Sequence, residues 1–380
     1  MNLDQIKQEF PNGVLREAHP FYMYDAIQDI PGCLRACLAP ELAEQVASFV
    51  KRLSPAQVFA VGCGTSLNSA KVCAYAYRAL LGIPALAMDA LDFAVEPPLG
   101  LNEKALVISF SHSGQTKPTL LAQVLAKQRG AVTMAVSSKV DTALGQAADF
   151  AIADPYADEI PYGKTRSYLS AALLGALTAV LKQPQDKAQA FYQAAGEMVA
   201  ALEAGMPAWE QQAEKLAAQW SPAIDRYMLA GFGLNAVNAE ELGLKLLEVL
   251  GESSIGFCLE EFIHGPGAGL WENTGVVLFQ TDERVLAKTL EIAKGVAASR
   301  ASLLVVTDRP EAGWPEKTAV IAVPQTPLSQ FLTMYPVAVV AQLVLYRLAV
   351  QKRVVPDINC RDRNPELMCV SHFYGQAETK

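Results

Sequence analysis

Short apolar runs, each ending in a glycine- or hydroxyl-rich turn and followed by a helical pattern, recur along this chain. Val58-Phe59-Ala60-Val61 runs into Gly62-Cys63-Gly64-Thr65-Ser66, and Ala105-Leu106-Val107-Ile108-Ser109-Phe110 runs into Ser111-His112-Ser113-Gly114-Gln115-Thr116. Four to six β-rich apolar residues without alternation predict strands buried on both faces, as in parallel sheets. Between them the pattern predicts helix over 66–80, strand over 84–88, helix over 118–129, strand over 132–136, helix over 141–147 and strand over 150–152. This alternation predicts a doubly wound α/β domain. An amphipathic helix over 41–52 leads into the first strand.

The pattern then repeats. Tyr227 to Gly233 echoes Val58 to Gly64, displaced by 169 positions (Gly62 to Gly231). Val276 to Phe279 echoes Leu106 to Ser109, and Leu303 to Thr307 echoes Thr133 to Ser137, each at an offset of 170 (Leu106 to Val276, Thr133 to Leu303). Strands matching at nearly one offset predict two duplicated doubly wound parallel-sheet domains in tandem. The expected division is an arm over 1–44, a first domain over 45–190, a helical connection over 191–220 broken by Pro207 and Pro222, a second domain over 221–355 and a tail over 356–380. The aromatics of the arm, among them Phe21, Tyr22 and Tyr24, need a cover, for which a partner subunit is one candidate.

Two such loops at the carboxyl ends of neighbouring parallel strands converge on one crevice. Helix N-terminal N–H groups and the helix dipole favour an anion there. Thr65, Ser66, Ser111, Ser113 and Thr116 add hydroxyls, Gly114 permits the tight turn, and Thr116 is expected to cap the next helix, with Pro118 in its first turn. Ser, Thr and Gly are also what an ordinary βα connection contains, so it is the pair of loops that raises the anion reading. The second copy differs. Gly231-Phe232-Gly233-Leu234-Asn235 lacks the Thr-Ser pair, and Gln280-Thr281-Asp282-Glu283 places carboxylates where the first copy has Ser and His, so a phosphate is expected in the first half alone.

In the second half, a helix over 238–250 buries Ala239, Leu242 and Leu246 and shows Glu241, Lys245 and Glu248 on another stripe. That stripe reads either as a solvated Glu–Lys face or as chemistry. His264, followed by Gly265-Pro266-Gly267, lies on a loop and is one of four histidines. Glu248 with His264 would combine a carboxylate base and an imidazole, the groups needed to move protons beside a carbonyl and to open a sugar ring.

Bulk properties narrow the classes. The 380 residues suffice for two cores, and 51% hydrophobic with 18% charged is a folded composition. A net charge of −8 leaves no basic stripe for nucleic acid, so a bound phosphate belongs to a small molecule. Seven irregularly spaced cysteines fit reduced cytosolic thiols rather than a disulfide framework, and no metal site is read from them. Met1 to Gln8 does not read as a signal peptide, and the apolar stretch 336–349, interrupted by Gln342 and Arg347, reads as too short to span a bilayer.

The motifs Gly62-Cys63-Gly64-Thr65-Ser66, Ser111-His112-Ser113-Gly114-Gln115-Thr116, and Glu248 sixteen residues before a His-Gly-Pro resemble those of tandem sugar-isomerase (SIS) domain proteins. That group includes the isomerase half of glucosamine-6-phosphate synthase, the fructosamine-6-phosphate deglycases and the SIS-type glucosamine-6-phosphate deaminases. The resemblance implies a flavodoxin-like fold, a phosphosugar substrate and no cofactor. It further implies that Ser66, Ser111, His112, Ser113 and Thr116, with Thr65 beside them, hold the substrate phosphate, His112 standing where the synthase has glutamine. Glu248 would shuttle the C1/C2 proton with Lys245 beside it, and His264 would open the ring from the neighbouring subunit of a homodimer.

The departures are specific. The synthase's imine-forming lysine has no counterpart in Asp357-Ile358-Asn359-Cys360-Arg361-Asp362-Arg363-Asn364, where arginines stand instead. Residue 2 is Asn and no glutaminase portion is read, so glucosamine synthesis from glutamine is not expected of this chain alone. Lys164 and Arg166, in the loop 159–167, are candidate readers of a second acidic group on the substrate. The expectation is a cytoplasmic enzyme of open-chain sugar 6-phosphates, performing aldose–ketose isomerisation or amine release. The alternatives are a non-catalytic sugar-phosphate-binding regulator and a nucleotide-dependent oxidoreductase using Gly62, Gly64 and Asp89. The oxidoreductase is disfavoured because Leu67 stands at the third glycine position.

Overall fold

The computed structural model describes residues 7–8, 10–326 and 329–360. Three helices open it, α1 (Tyr22–Gln28), α2 (Ile30–Cys37) and α3 (Pro40–Val50). The first repeat follows as β1 (Gln57–Gly62), α4 (Thr65–Leu81), β2 (Ala85–Asp89), α5 (Ala90–Val95), β3 (Ala105–Phe110), α6 (Lys117–Gln128), β4 (Val132–Ser137), α7 (Ala143–Ala147), β5 (Phe150–Ala153) and α8 (Arg166–Val180). A long helix, α9 (Gln185–Trp220), leads to the second. That repeat runs β6 (Arg226–Gly231), α10 (Leu234–Leu250), β7 (Ser253–Cys258), α11 (Leu259–Ile263), β8 (Thr274–Gln280), α12 (Leu286–Ala298), β9 (Ser302–Thr307), β10 (Ala319–Ala322), α13 (Ser329–Leu332) and α14 (Met334–Gln351).

Both sheets have five parallel strands in one order, β2-β1-β3-β4-β5 and β7-β6-β8-β9-β10, which is the duplicated α/β fold read from the repeated pattern. The direction of winding reverses between β1 and β3 in the first sheet and between β6 and β8 in the second. Loops leaving those strands' carboxyl ends therefore diverge and leave a crevice. The continuous apolar run in β3 is explained by burial of all six of its residues.

The repeats meet through α4 and α10, which pack on each other about a local pseudo-twofold. Lys71 of α4 is paired with Glu240 of α10, and the two positions are 169 apart, the repeat offset. A side chain built on Gly64 would meet Leu244 at 3.8 Å, while the equivalent Tyr75 lines the hollow beside Gly233.

Four expectations are corrected. First, Pro207 does not break the connection: α9 runs without interruption past it and stops just before Pro222. An internal proline costs about 3 kcal/mol, but Leu202, Met206 and Trp209 around it are all buried and the Trp209 indole donates to Ala322 O at 2.8 Å, so packing outweighs the lost bond. Second, the arm's aromatics are covered by their own chain. Met23, Ile27 and Ile30 lie in the main core, Phe21 packs edge-on to Tyr346, and Asp357 accepts from the N–H groups of Tyr22 (3.0 Å) and Met23 (2.8 Å).

Third, α8 and α14 were not read as helices from the pattern. Both are buried almost all round, which removes the one-sided stripe that betrays a helix. Fourth, the segment read as too short to span a bilayer belongs to the 18-residue α14, which passes on length and apolarity, but 83% of it is buried inside the protein, as a core helix is. None of the six described cysteines forms a disulfide with another, and Cys369 lies outside the described residues, as do Arg361, Asp362, Arg363 and Asn364.

Candidate active site

Gly62 ends β1 where α4 folds back against it, and a Cβ there would stand 2.7 Å from the Ser66 backbone, so only glycine fits. Gly64 has φ +56°, after which Thr65 and Ser66 open the helix. In the second loop Ser111 N donates to Val136 O, and Gly114 N donates to Ser111 Oγ at 3.1 Å. Gly114 has φ +62°, and a Cβ on it would overlap Thr142 at 2.3 Å. Thr116 is the residue before α6 but makes no side-chain cap. Its hydroxyl instead lies 2.8 Å from that of Ser111 and ties the loop to itself.

The two loops do converge. Thr65, Ser66, Ser69, Ser111, His112 and Ser137 line an enclosed cavity of about 40 Å³. Lys164, Ser167 and Asp154 complete its polar wall. Ser113 is exposed and its hydroxyl accepts from Gln115 N at 3.2 Å, so neither it nor Thr116 lies on the cavity wall. Other hollows are wider. One of about 800 Å³ at the amino ends of β6 and β8, around Trp271 and Arg300, is open surface without converging buried polar groups. One of about 270 Å³ at the second repeat's own switch point holds Asn235, bonded to Thr281, and Asp282, bonded in two places by the Arg284 guanidinium.

The loop 159–167 closes the crevice. The buried Glu159 carboxylate accepts from the N–H groups of Thr165 (2.8 Å), Arg166 (3.1 Å) and Ser167 (2.9 Å) and from the Thr165 and Ser167 hydroxyls, which caps α8. Burial pushes this carboxyl upward, but the Lys164 charge and the hydroxyl bonds outweigh it and hold it below the usual glutamate range. His112 Nε2 accepts from Glu159 N at 3.4 Å, and burial followed by the Lys164 charge pushes its pKa below the ordinary value, which favours a neutral ring.

Arg166 does not reach the crevice. Its guanidinium donates to Tyr156 O and Asp158 O and faces Asp29 at 3.6 Å, so of the two candidate readers of an acidic group only Lys164 lines the cavity. Asp89, the ribose candidate of the nucleotide reading, caps α5 through Leu91 N at 2.8 Å.

The stripe on α10 is not a solvated face. Glu241 and Lys245 are 4% and 2% exposed. Glu241 accepts from the Thr65 hydroxyl (2.9 Å) and from Asn68 (2.8 Å), so it holds the start of α4 across the repeat boundary. Burial raises its pKa against the opposing charge of Lys245. Lys245 lies 3.7 Å from Glu241 and in closer contact with Glu248, and although burial opposes its charge, the two carboxylates keep it protonated. Glu248 stays partly open. Its carboxylate faces Gly163, where a Cβ would approach Oε2 to 3.7 Å, so it stands beside the loop whose next residue lines the crevice.

His264 is elsewhere in this chain, 69% exposed and 3.2 Å from Glu260. Sequence reasoning missed Asn68, Ser137, Asp154 and the anchoring role of Glu241. Ser137 ends the strand next to β3 and Glu241 precedes Lys245 by one turn, signals too common to single out.

With this geometry in hand, residues 53–181 match the family model of the SIS domain. The first repeat thus carries a SIS domain. The chain is 27% identical over 362 residues to the isomerizing glutamine–fructose-6-phosphate aminotransferase of Gloeobacter violaceus, covering 91% of this chain and 58% of that one. It is 26% identical over 330 residues to the Aquifex aeolicus protein of the same name, covering 86% and 55%. The chain thus spans little more than half the length of these relatives. In fold, it matches the C-terminal domain of the glucosamine-fructose-6-phosphate aminotransferase of Francisella tularensis with a TM-score of 0.81 at 19% identity, covering 91% of this chain and 99% of that one. The glucosamine-6-phosphate deaminase of Thermotoga maritima matches at 0.69 and 20% identity, covering 88% and 96%. The second repeat lies outside the matched residues and has the same strand order as the first.

Proposed function

We propose that this SIS-domain protein catalyses proton transfer between C1 and C2 of an open-chain sugar 6-phosphate, either as aldose–ketose isomerisation or coupled to release of an amine. The phosphate would sit between the two βα loops, with the hydroxyls of Ser66 and Ser111 as donors. Glu248 would act as acid/base, its charge oriented by Lys245. Ring opening would fall to His264 supplied by a second copy, consistent with its exposed ring, which contacts Glu260.

One observation carries the reading: Glu248, from the second repeat, stands against Gly163 of the loop that closes the hydroxyl-lined crevice of the first. This supports a carboxylate standing on the far side of the loop that borders the proposed anion site. The names of the relatives, an isomerizing aminotransferase and, by fold, a deaminase, agree with chemistry at C1 and C2 of a hexose phosphate.

A turnover screen of aldose, ketose and aminosugar 6-phosphates with Glu248→Gln as control tests it. Glu248→Gln is expected to lose roughly 10²–10⁴-fold in kcat while still binding ligand. Unchanged turnover removes Glu248 from the chemistry, and no turnover by either protein with ligand binding kept favours the regulatory alternative. A shared site makes a second demand. Mixing inactive Glu248→Gln and His264→Ala chains should restore about a quarter of wild-type activity, because only mixed dimers carry one intact site.

A further inference from the structure

Among the described residues, one ammonium group lines the crevice. Lys164 donates to two carbonyls of its own loop, Glu159 at 2.7 Å and Pro161 at 2.8 Å. An ammonium has three donors, so one remains for something else. Among the described residues no carboxylate lies within 4.0 Å of it. Glu159, the nearest acid on its loop, has both oxygens occupied by Thr165, Arg166 and Ser167. Asp154 also lines the cavity, but its oxygens accept from Tyr156 N, Cys33 Sγ and the Ser170 hydroxyl, which turns its charge into the protein. What remains of the wall is one cation, neutral hydroxyls and the His112 ring, backed by the apolar side chains of Phe110, Val136 and Leu174. The cavity of about 40 Å³ has room for about three waters, the scale of a tetrahedral oxyanion rather than of a whole sugar.

We propose that Lys164 supplies the counter-charge that makes this crevice select a phosphate dianion. The proposal rests on the reading above, that the Ser66 and Ser111 loops hold the substrate phosphate, and it adds that the grip depends on one conditional charge. It also replaces the expectation that Lys164 meets a separate carboxylate.

The charge is conditional because burial pushes the Lys164 pKa below its ordinary value, and Lys245 of α10 adds to that. Glu159 and Asp158 on its own loop and Glu248 on α10 pull the other way, while the neutral His112 ring and Asp154 are the remaining titratable groups at the wall. A bound dianion stabilises the protonated amine, so affinity falls as pH rises through the free Lys164 pKa.

Inorganic phosphate and sulfate are the probes, titrated calorimetrically into the full chain. Lys164→Met is expected to weaken phosphate binding by roughly tenfold or more, and Lys164→Arg, which keeps the charge, by less. Acetate should not compete. Sulfate has constant charge above neutrality, so its affinity for the wild type should fall by about tenfold or more between pH 7 and pH 10. Phosphate binding by Lys164→Met equal to wild type, acetate competing as well as phosphate, or a flat sulfate profile each overturns the proposal. The sulfate profile needs no variant, so it decides even if Lys164→Met does not fold. If the wild type binds neither anion, the phosphate-loop reading itself falls and takes the proposal with it. If Ser111→Ala abolishes binding while Lys164→Met keeps it, the role of Lys164 alone fails.

Discussion

At the scale of single residues, the crevice depends on Gly62 and Gly114, where a side chain cannot be accommodated. Gly114 is held at φ +62°, and any Cβ would lie 2.3 Å from that of Thr142. The left-handed backbone alone costs about 1–2 kcal/mol for a non-glycine residue, and the overlap adds to it. Gly114→Ala is therefore expected to lower stability by more than that in denaturant titration, and a neutral result would mean that the loop can rebuild itself. Thr116 makes a different point. A residue placed for capping spends its hydroxyl on Ser111 instead, because a tethered loop is of more use beside the crevice than one more satisfied N–H.

At the scale of elements, the entry to α8 is an acid seated in a helix N-terminus. Glu159 fills the place that an external anion takes at many helix ends, and it fixes the loop that carries Gly163 and Lys164. Its folded pKa lies below the unfolded value near 4.5. The stability that its charge contributes is thus fully present above about pH 4.5 and lost as pH falls through the folded pKa. Melting temperatures of the wild type and Glu159→Gln should differ most near neutrality and converge on acidification. A gap that stays constant down to pH 3 would assign the difference to packing. The same loop is also tied through Tyr162 N to Asp357 O, and Asp357 in turn caps α1, so Asp357 links the loop to the arm.

At the scale of the whole molecule, the two repeats differ in the side chains they bring to the α4–α10 contact. The first keeps hydroxyls at its switch point, and the second presents acids from the helix that crosses to it. Two ion pairs at this contact should differ sharply in weight. Lys71 and Glu240 are each about a third exposed, and pairs of that kind contribute about 0–1 kcal/mol, so Lys71→Ala should change stability little. Glu241 is buried with Thr65, Asn68 and Lys245 depending on it, and Glu241→Ala should cost on the order of 3 kcal/mol. Equal effects in thermal denaturation would show that the contact is not organised around Glu241.

The duplicated parallel sheets, the two βα loops and the α10 stripe were legible in the amino-acid order, because a strand buried on both faces, a turn that only glycine can make and a helical spacing are local properties that leave local marks. Helices α8 and α14 left none, since a helix enclosed on every side has no polar face to reveal its period. Pro207 and the arm's aromatics misled for the opposite reason: a local cost and a local exposure were each overruled by distant chain. Whether Lys164 or Arg166 entered the crevice was decided by how their loop folds on itself and on Asp29, and whether Glu241 faced water or Thr65 was decided only when the repeats packed together. Charge, length and spacing state what a side chain is able to do, and its partners are assigned by tertiary contacts between residues more than a hundred positions apart.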